Sequence, residues 1–111
     1  MQNIFKILDS ATFERMKSSG VLHGAAIDLE DGYIHFSTAQ QVRETARLHF
    51  SGRSNLMLLA VASEPLGTAL KWEASRSGQL FPHLYAALTM QDVLWAKPLD
   101  PDEVALVYLA P

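Results

Sequence analysis

Residues 55–62, NLMLLAVA, form the most restrictive stretch of this chain. Leu56, Met57, Leu58, Leu59, Ala60 and Val61 follow one another without a polar break. Side chains of a strand alternate between its two faces, so a run that is apolar at every position must be covered on both sides. Asn55 before it and Pro65 and Gly67 after it are turn residues, and the run has the length of a strand. The chain therefore needs a central strand with a layer on each face. Its 111 residues are room for one domain, 1–111. A hydrophobic share of 49% against 19% charged residues is that of a folded core and excludes a disordered chain.

The remaining pattern supplies the other layers. Residues 4–8 read as a first strand with Lys6 at its middle. Asp9 and Ser10 can cap a helix that runs to about residue 19, with Phe13, Met16 and Lys17 at helical spacing and Gly20 at its end. Residues 21–30, with His23, Gly24 and Asp28, show no period and read as a loop. Asp31-Gly32 is a turn, and residues 33–37 alternate. Ile34 and Phe36 share one face of a strand, and Tyr33, His35 and Ser37 share the other. Thr38 and Gln41 have capping-box spacing, which predicts a helix over 38–50 with Val42 and Ala46 on its apolar stripe. Residues 70–74 alternate again: Leu70, Trp72 and Ala74 against Lys71 and Glu73. Trp72 and Trp95 are expected in the core. Pro82 donates no backbone bond, so FPHLY at 81–85 is not expected to be a regular central strand. A helical turn at 89–92, a strand at 93–97, a turn between Pro98 and Pro101 and a last strand at 104–109 complete an α+β chain of about six strands and two main helices.

Several function classes are excluded. The chain has no cysteine, so disulfides, thiolate catalysis and Cys-based metal sites are absent. That fits a cytoplasmic protein, as does an N-terminus without the basic and long apolar regions of a signal peptide. No segment approaches the roughly 20 apolar residues of a membrane span. Net charge is −3, and the basic residues are scattered apart from Arg43, Arg47 and Arg53, so nucleic acid is not an expected partner. Neither GxGxxG nor GxxxxGK occurs, and Ser37 is not in a nucleophile elbow. None of the four histidines is paired at HExxH spacing. His35, His83 and Asp28 could only meet at zinc from a distance, and no metal is expected. His49 lies where a helix C-terminus favours a cation, a structural role.

Two segments carry chemistry beside the strand at 33–37. Glu73 and Lys71 share a strand face. The plain reading is a solvated charge pair, and the functional one is that Glu73 faces the same cleft as His35, where the two could polarise a hydroxyl or stabilise a developing cation. In FPHLY, Phe81 and Leu84 could simply fill the core. A Pro, a His and two aromatics in five residues point instead to a pocket faced by His83 and Tyr85, with Tyr85 stacking on a flat ring.

DGYIHFSTAQQ, LKWE and FPHLY, in this order and spacing, resemble the signature blocks of a small bacterial family known as domain of unknown function 952. The resemblance runs from Ile4 to about Leu99. It implies an ADP-ribosyltransferase-like fold, a mixed split sheet whose cleft holds NAD in active members. The order IHFST, helix, NLMLLAV, LKWEASRSGQLF is also similar to the second half of RNA 2′-phosphotransferases, which use NAD. On that resemblance His35 contacts the NAD ribose, Ser37 follows on the same face, and residues 75–78 match the substrate-side loop. The arginines and paired histidines of the phosphotransferases have no counterpart here.

These readings combine into one expectation. His35, Ser37, Glu73, His83 and Tyr85 line a small-molecule cleft that takes NAD or a related nucleotide as substrate. His35, Glu73 and Tyr85 are the candidate catalytic groups for transfer or cleavage at the nicotinamide–ribose bond. His35, Ser37, His83 and Tyr85 are the candidate binding groups. The alternatives are a noncatalytic binding module and a homodimeric interaction protein built on exposed hydrophobic surface.

Overall fold

The computed structural model describes residues 2–75 and 78–102. The apolar run becomes β5 (Leu56–Ala62), which lies between β1 (Asn3–Asp9) and β9 (Val93–Leu99) in a four-stranded sheet. The fourth strand, β4 (Ser37–Thr38), pairs with β1 on its other side. Both faces of β5 are covered, as an unbroken apolar strand requires. Ile4 and Leu8 of β1 join Leu59 and Val61 of β5 on one face, packed against Phe13, Met16, Ile34, Phe36 and Leu84. Phe5 and Ile7 join Leu58 and Ala60 on the other, packed against Val42 and Ala46 of helix α3 (Val42–His49). Parity alone thus turns Lys6 toward the first of these layers, where it is buried.

Helix α1 (Ser10–Ser19) starts where Asp9 Oδ1 accepts the Thr12 N–H at 2.7 Å. It ends at Gly20, whose φ of 83° is left-handed and whose N–H donates to the Met16 carbonyl. The segment 21–30, expected to be a loop, holds β2 (Val21–Leu22) and all but the last residue of α2 (Ala26–Asp31). Neither could show a period. The strand has two residues, and the six-residue helix leaves Ile27 and Leu29 exposed rather than on a core stripe.

The strand expected at 33–37 is two strands in two sheets. Ile34 and His35 form β3 and pair with Leu84 and His83 of β7 (Leu80–Leu84), in the order β3-β7-β6 with β6 at Leu70–Ala74. Ser37 and Thr38 then cross to the four-stranded sheet opposite Phe5 and Ile4. The inward parity of Ile34 and Phe36 survives the break. The Thr38–Gln41 box forms both reciprocal bonds, at 3.0 and 3.2 Å, yet α3 begins only at Val42 because Thr38 stays paired with Ile4.

FPHLY also departs from expectation, since β7 is the central strand of its sheet. A residue's N–H and C=O leave a strand on the same side, and the Pro82 carbonyl accepts from Phe36 at 3.0 Å. The missing N–H therefore faces the point where β3 leaves the sheet, and the ladder to β6 loses nothing. Trp72, expected in the core, is 38% exposed on edge strand β6. Trp95 is half-buried and packs at 6.1 Å from Phe5. β8 (Leu88–Thr89) pairs with β2, and 3₁₀ turns occupy Glu64–Ala69 and Met90–Asp92. Every described pairing is antiparallel, so the expected mixed sheet is not found among the described residues. The last strand expected at 104–109 lies outside them.

Candidate functional site

Residues around His35, Glu73 and His83 meet on one face of the β3-β7-β6 sheet. His35 is opposite His83, and His83 is opposite Lys71. Alternation then puts Tyr33, Tyr85 and Glu73 on the same side. Glu73 Oε1 lies 2.8 Å from His83 Nδ1 and accepts the Tyr85 hydroxyl at 2.7 Å. The Tyr33 ring stacks on His83 at 4.2 Å and lies 4.6 Å from His35 and 5.2 Å from Tyr85. His83 is only 3% exposed, while Tyr85 is 43% exposed, so the group opens from a buried floor to solvent.

Hydrogen bonding tunes the exposed end. The Tyr85 hydroxyl and then the His83 ring hold the Glu73 carboxyl below its usual range. The same bond pushes Tyr85 up to about 12, because losing its proton would set two anions side by side. Tyr33 is also raised, first by desolvation and then by Asp31 and Glu73. At neutral pH the face therefore carries an ionised carboxylate beside two neutral phenols, with the Lys71 ammonium 6.0 Å from the centre of the Tyr85 ring.

Behind His35 lies Asp28, which the sequence offered only as a distant zinc ligand with His35 and His83. Asp28, 1% exposed, sits at the third position of α2 and reaches back to the Ala25 N–H at 2.8 Å. The end of α2 turns at Gly32, φ 87°, and brings β3 past the same carboxylate. Asp28 Oδ1 accepts the His35 N–H at 3.0 Å and contacts His35 Nδ1 at 2.6 Å. The Lys6 ammonium pairs with Asp28 at 2.8 and 3.0 Å. Burial pushes the Asp28 carboxyl up, but the His35 bonds and the Lys6 charge overcome it and hold it at about 2. Burial lowers Lys6, opposed by Asp28. The other ring nitrogen, His35 Nε2, lies 2.9 Å from Asp31. The available signal was the placement of Lys6 at an inward position between Ile4 and Leu8.

Ser37 is held elsewhere: its hydroxyl bonds that of Thr45 on α3 at 3.0 Å, because β4 belongs to the other sheet. Of the loop at 75–78, residues 76 and 77 lie outside the described residues. A separate surface pocket of about 520 Å³, lined by Arg15, Met16, His23 and Leu29 among others, includes none of the expected site residues. No cluster of three or more metal-ligating side chains occurs among the described residues. No helix there is long and apolar enough to cross a membrane.

The model of the family described as "Protein of unknown function (DUF952)" matches residues 7–96. The chain belongs to this family. The crystal structure of protein CC0527 from Caulobacter crescentus is 50% identical, with a TM-score of 0.86 over 88% of this chain and 86% of that one. A double mutant of that protein is 49% identical, also with a TM-score of 0.86. The solution NMR structure of CC0527 itself is 50% identical, with a TM-score of 0.82 over 90% of this chain and 86% of that one. No curated protein matches the chain. The DUF952 match contains the whole face from Asp28 to Tyr85.

In this DUF952 chain the loop beside Asp28 leaves no room for a side chain at Gly24. A Cβ there would meet Asp28 Cβ at 2.8 Å, and its φ is +145°. Gly24→Ala is expected to lower unfolding free energy by about 1–3 kcal/mol. Urea melts would measure it, and a loss below about 0.3 kcal/mol would show that the loop relaxes freely.

Proposed function

We propose that this face binds NAD or a related nucleotide within an ADP-ribosyltransferase-like fold and cleaves the nicotinamide–ribose bond. The observation that carries the reading is the convergence of Tyr33, His35, Glu73, His83 and Tyr85, drawn from three separated blocks, onto one side of one sheet. The nicotinamide ring of NAD is a flat cation. An aromatic face with an ionised carboxylate suits it by stacking and charge, and a flat cation on Tyr85 would take the place of the Lys71 ammonium now 6.0 Å from that ring. As the bond breaks, its electron pair leaves with nicotinamide and positive charge passes to the ribose. Glu73 is the group to stabilise that oxocarbenium character, which water or an acceptor hydroxyl then captures with loss of a proton. His35 is the group to hold the ribose hydroxyls.

The test is an NMR titration of labelled protein with NAD, with nicotinamide followed in the same tube. Shifts confined to His35, Glu73 and residues 81–85, with nicotinamide appearing, are the expected result. Glu73→Gln should keep binding within about threefold and slow nicotinamide release by about 100-fold or more. No shift at millimolar NAD ends the reading.

A noncatalytic binding module is the second reading. Arg15 is on α1, Arg43 and Arg47 are on α3, and Arg53 packs over Phe50, so no described arginine lies on the aromatic face. Shifts without nicotinamide would favour it.

A further inference from the structure

We propose that Lys6 and Asp28 are positioning residues that fix which nitrogen of His35 meets a ligand, and that Asp31 holds that nitrogen only while the ring is protonated and yields it to a sugar hydroxyl. The inference rests on reading the aromatic face as a ligand site. His35 Nδ1 points inward at the buried Asp28 carboxylate, 2.6 Å away, and the backbone N–H of the same residue meets the same oxygen. Backbone and ring are thus held at one acceptor, which sets both the position and the rotation of the imidazole. Lys6, buried on the central sheet, supplies the positive charge that keeps this acceptor ionised in the interior. An ionised carboxylate accepts and cannot donate, so Nδ1 carries the proton.

Nε2 is then the only ring atom free to change partners. It faces outward to Asp31, whose side chain is 39% exposed. Both ring nitrogens can donate, one to each carboxylate, only while the ring is protonated. A neutral ring keeps its proton on Nδ1 and presents a lone pair at Nε2, where Asp31 is no longer a partner. A sugar hydroxyl can both donate and accept, so it fits Nε2 in either state. A phosphate or carboxylate can only accept, and it would also be set beside Asp31 and Glu73. The geometry therefore favours a group that both donates and accepts, such as a ribose hydroxyl, over an anionic group at this position.

The experiment is long-range ¹H–¹⁵N NMR of the His35 ring from pH 5 to 9, first without ligand and then with NAD. In the unliganded protein the neutral ring should be the Nδ1–H tautomer. Asp31→Ala should leave that tautomer in place, whereas Asp28→Asn should move the ring toward Nε2–H. NAD should shift the Nε2 resonance while Nδ1 stays nearly still. A neutral wild-type ring in the Nε2–H form, or NAD acting on Nδ1 alone, would overturn the proposal. If Asp28→Asn does not fold, the wild-type and Asp31→Ala spectra still decide it. The two ideas separate cleanly. An Nδ1–H ring with no response to NAD removes the NAD reading and the hydroxyl exchange, and keeps the positioning by Lys6 and Asp28. An Nε2–H ring with a full NAD response does the reverse.

Discussion

Asp28→Ala is expected to cost about 3–5 kcal/mol of unfolding free energy, because it leaves the Lys6 ammonium buried without a counter-charge. The same change orphans the Ala25 N–H and the His35 N–H, which both end on this carboxylate. Those donors tie α2 and β3 together, so the loss falls on the element that carries His35. Domains have about 5–15 kcal/mol in all. A domain of this size loses roughly 4 °C per kcal/mol, so the melting temperature should drop by about 10–20 °C. Lys6→Met alone should also destabilise, by leaving the buried Asp28 without its cation. Because the two residues act on one interaction, the double variant Lys6→Met/Asp28→Asn should lose clearly less than the sum of its single changes. Urea unfolding of wild type, Lys6→Met, Asp28→Asn and the double variant measures the cycle. Asp28→Ala within about 1 kcal/mol of wild type would show that Lys6 needs no counter-charge there, being reached by water or giving up its proton.

The legible parts of this fold were those in which a local pattern repeats. β5 was readable as a doubly covered strand because every position from Leu56 to Val61 is apolar, and α1 because Asp9 and Gly20 mark its two ends. The break at Phe36 was not readable. Ile34 and Phe36 keep perfect alternation although their neighbours pair in different sheets, and alternation reports only which face is inward. Pro82 misled for a related reason. A proline is barred from a ladder only on the side its N–H would face, and that side depends on a long-range partner. The candidate site follows the same division. His35, Glu73, His83 and Tyr85 were identifiable as polar or aromatic residues standing out of alternating segments, and their meeting is a property of the β3-β7-β6 register. Ser37 has the same parity as His35 and is lost to α3 because the chain changes sheet between them. Asp28 was hidden in a helix too short to show a period, and its partner Lys6 is 22 residues away in sequence.

The buried pair also predicts a steep acid limb of stability. The Asp28 carboxyl is held at about 2 in the fold, against 3.8 when the chain is unfolded. A depressed acid contributes stability that is complete above its unfolded value and is lost as pH falls toward its folded one. The window is therefore about pH 4 down to about pH 2, and the contribution of this one group is roughly 2–3 kcal/mol. Asp9, lowered first by the Thr12 N–H bond, and Glu73, lowered first by Tyr85, act in the same direction. Asp28 should dominate because its protonation leaves Lys6 charged in an apolar layer, so the two losses arrive together. Urea melts at pH 7, 5, 4 and 3 should show a nearly level plateau followed by a fall that steepens below pH 4. Lys6→Met/Asp28→Asn, having no buried carboxylate to protonate, should fall less over the same range, while Glu73→Gln should follow the wild-type curve closely. A wild-type limb that matches the double variant would mean that Asp28 titrates alike in the folded and unfolded chain, and that its contacts with His35 and Lys6 do not hold it ionised.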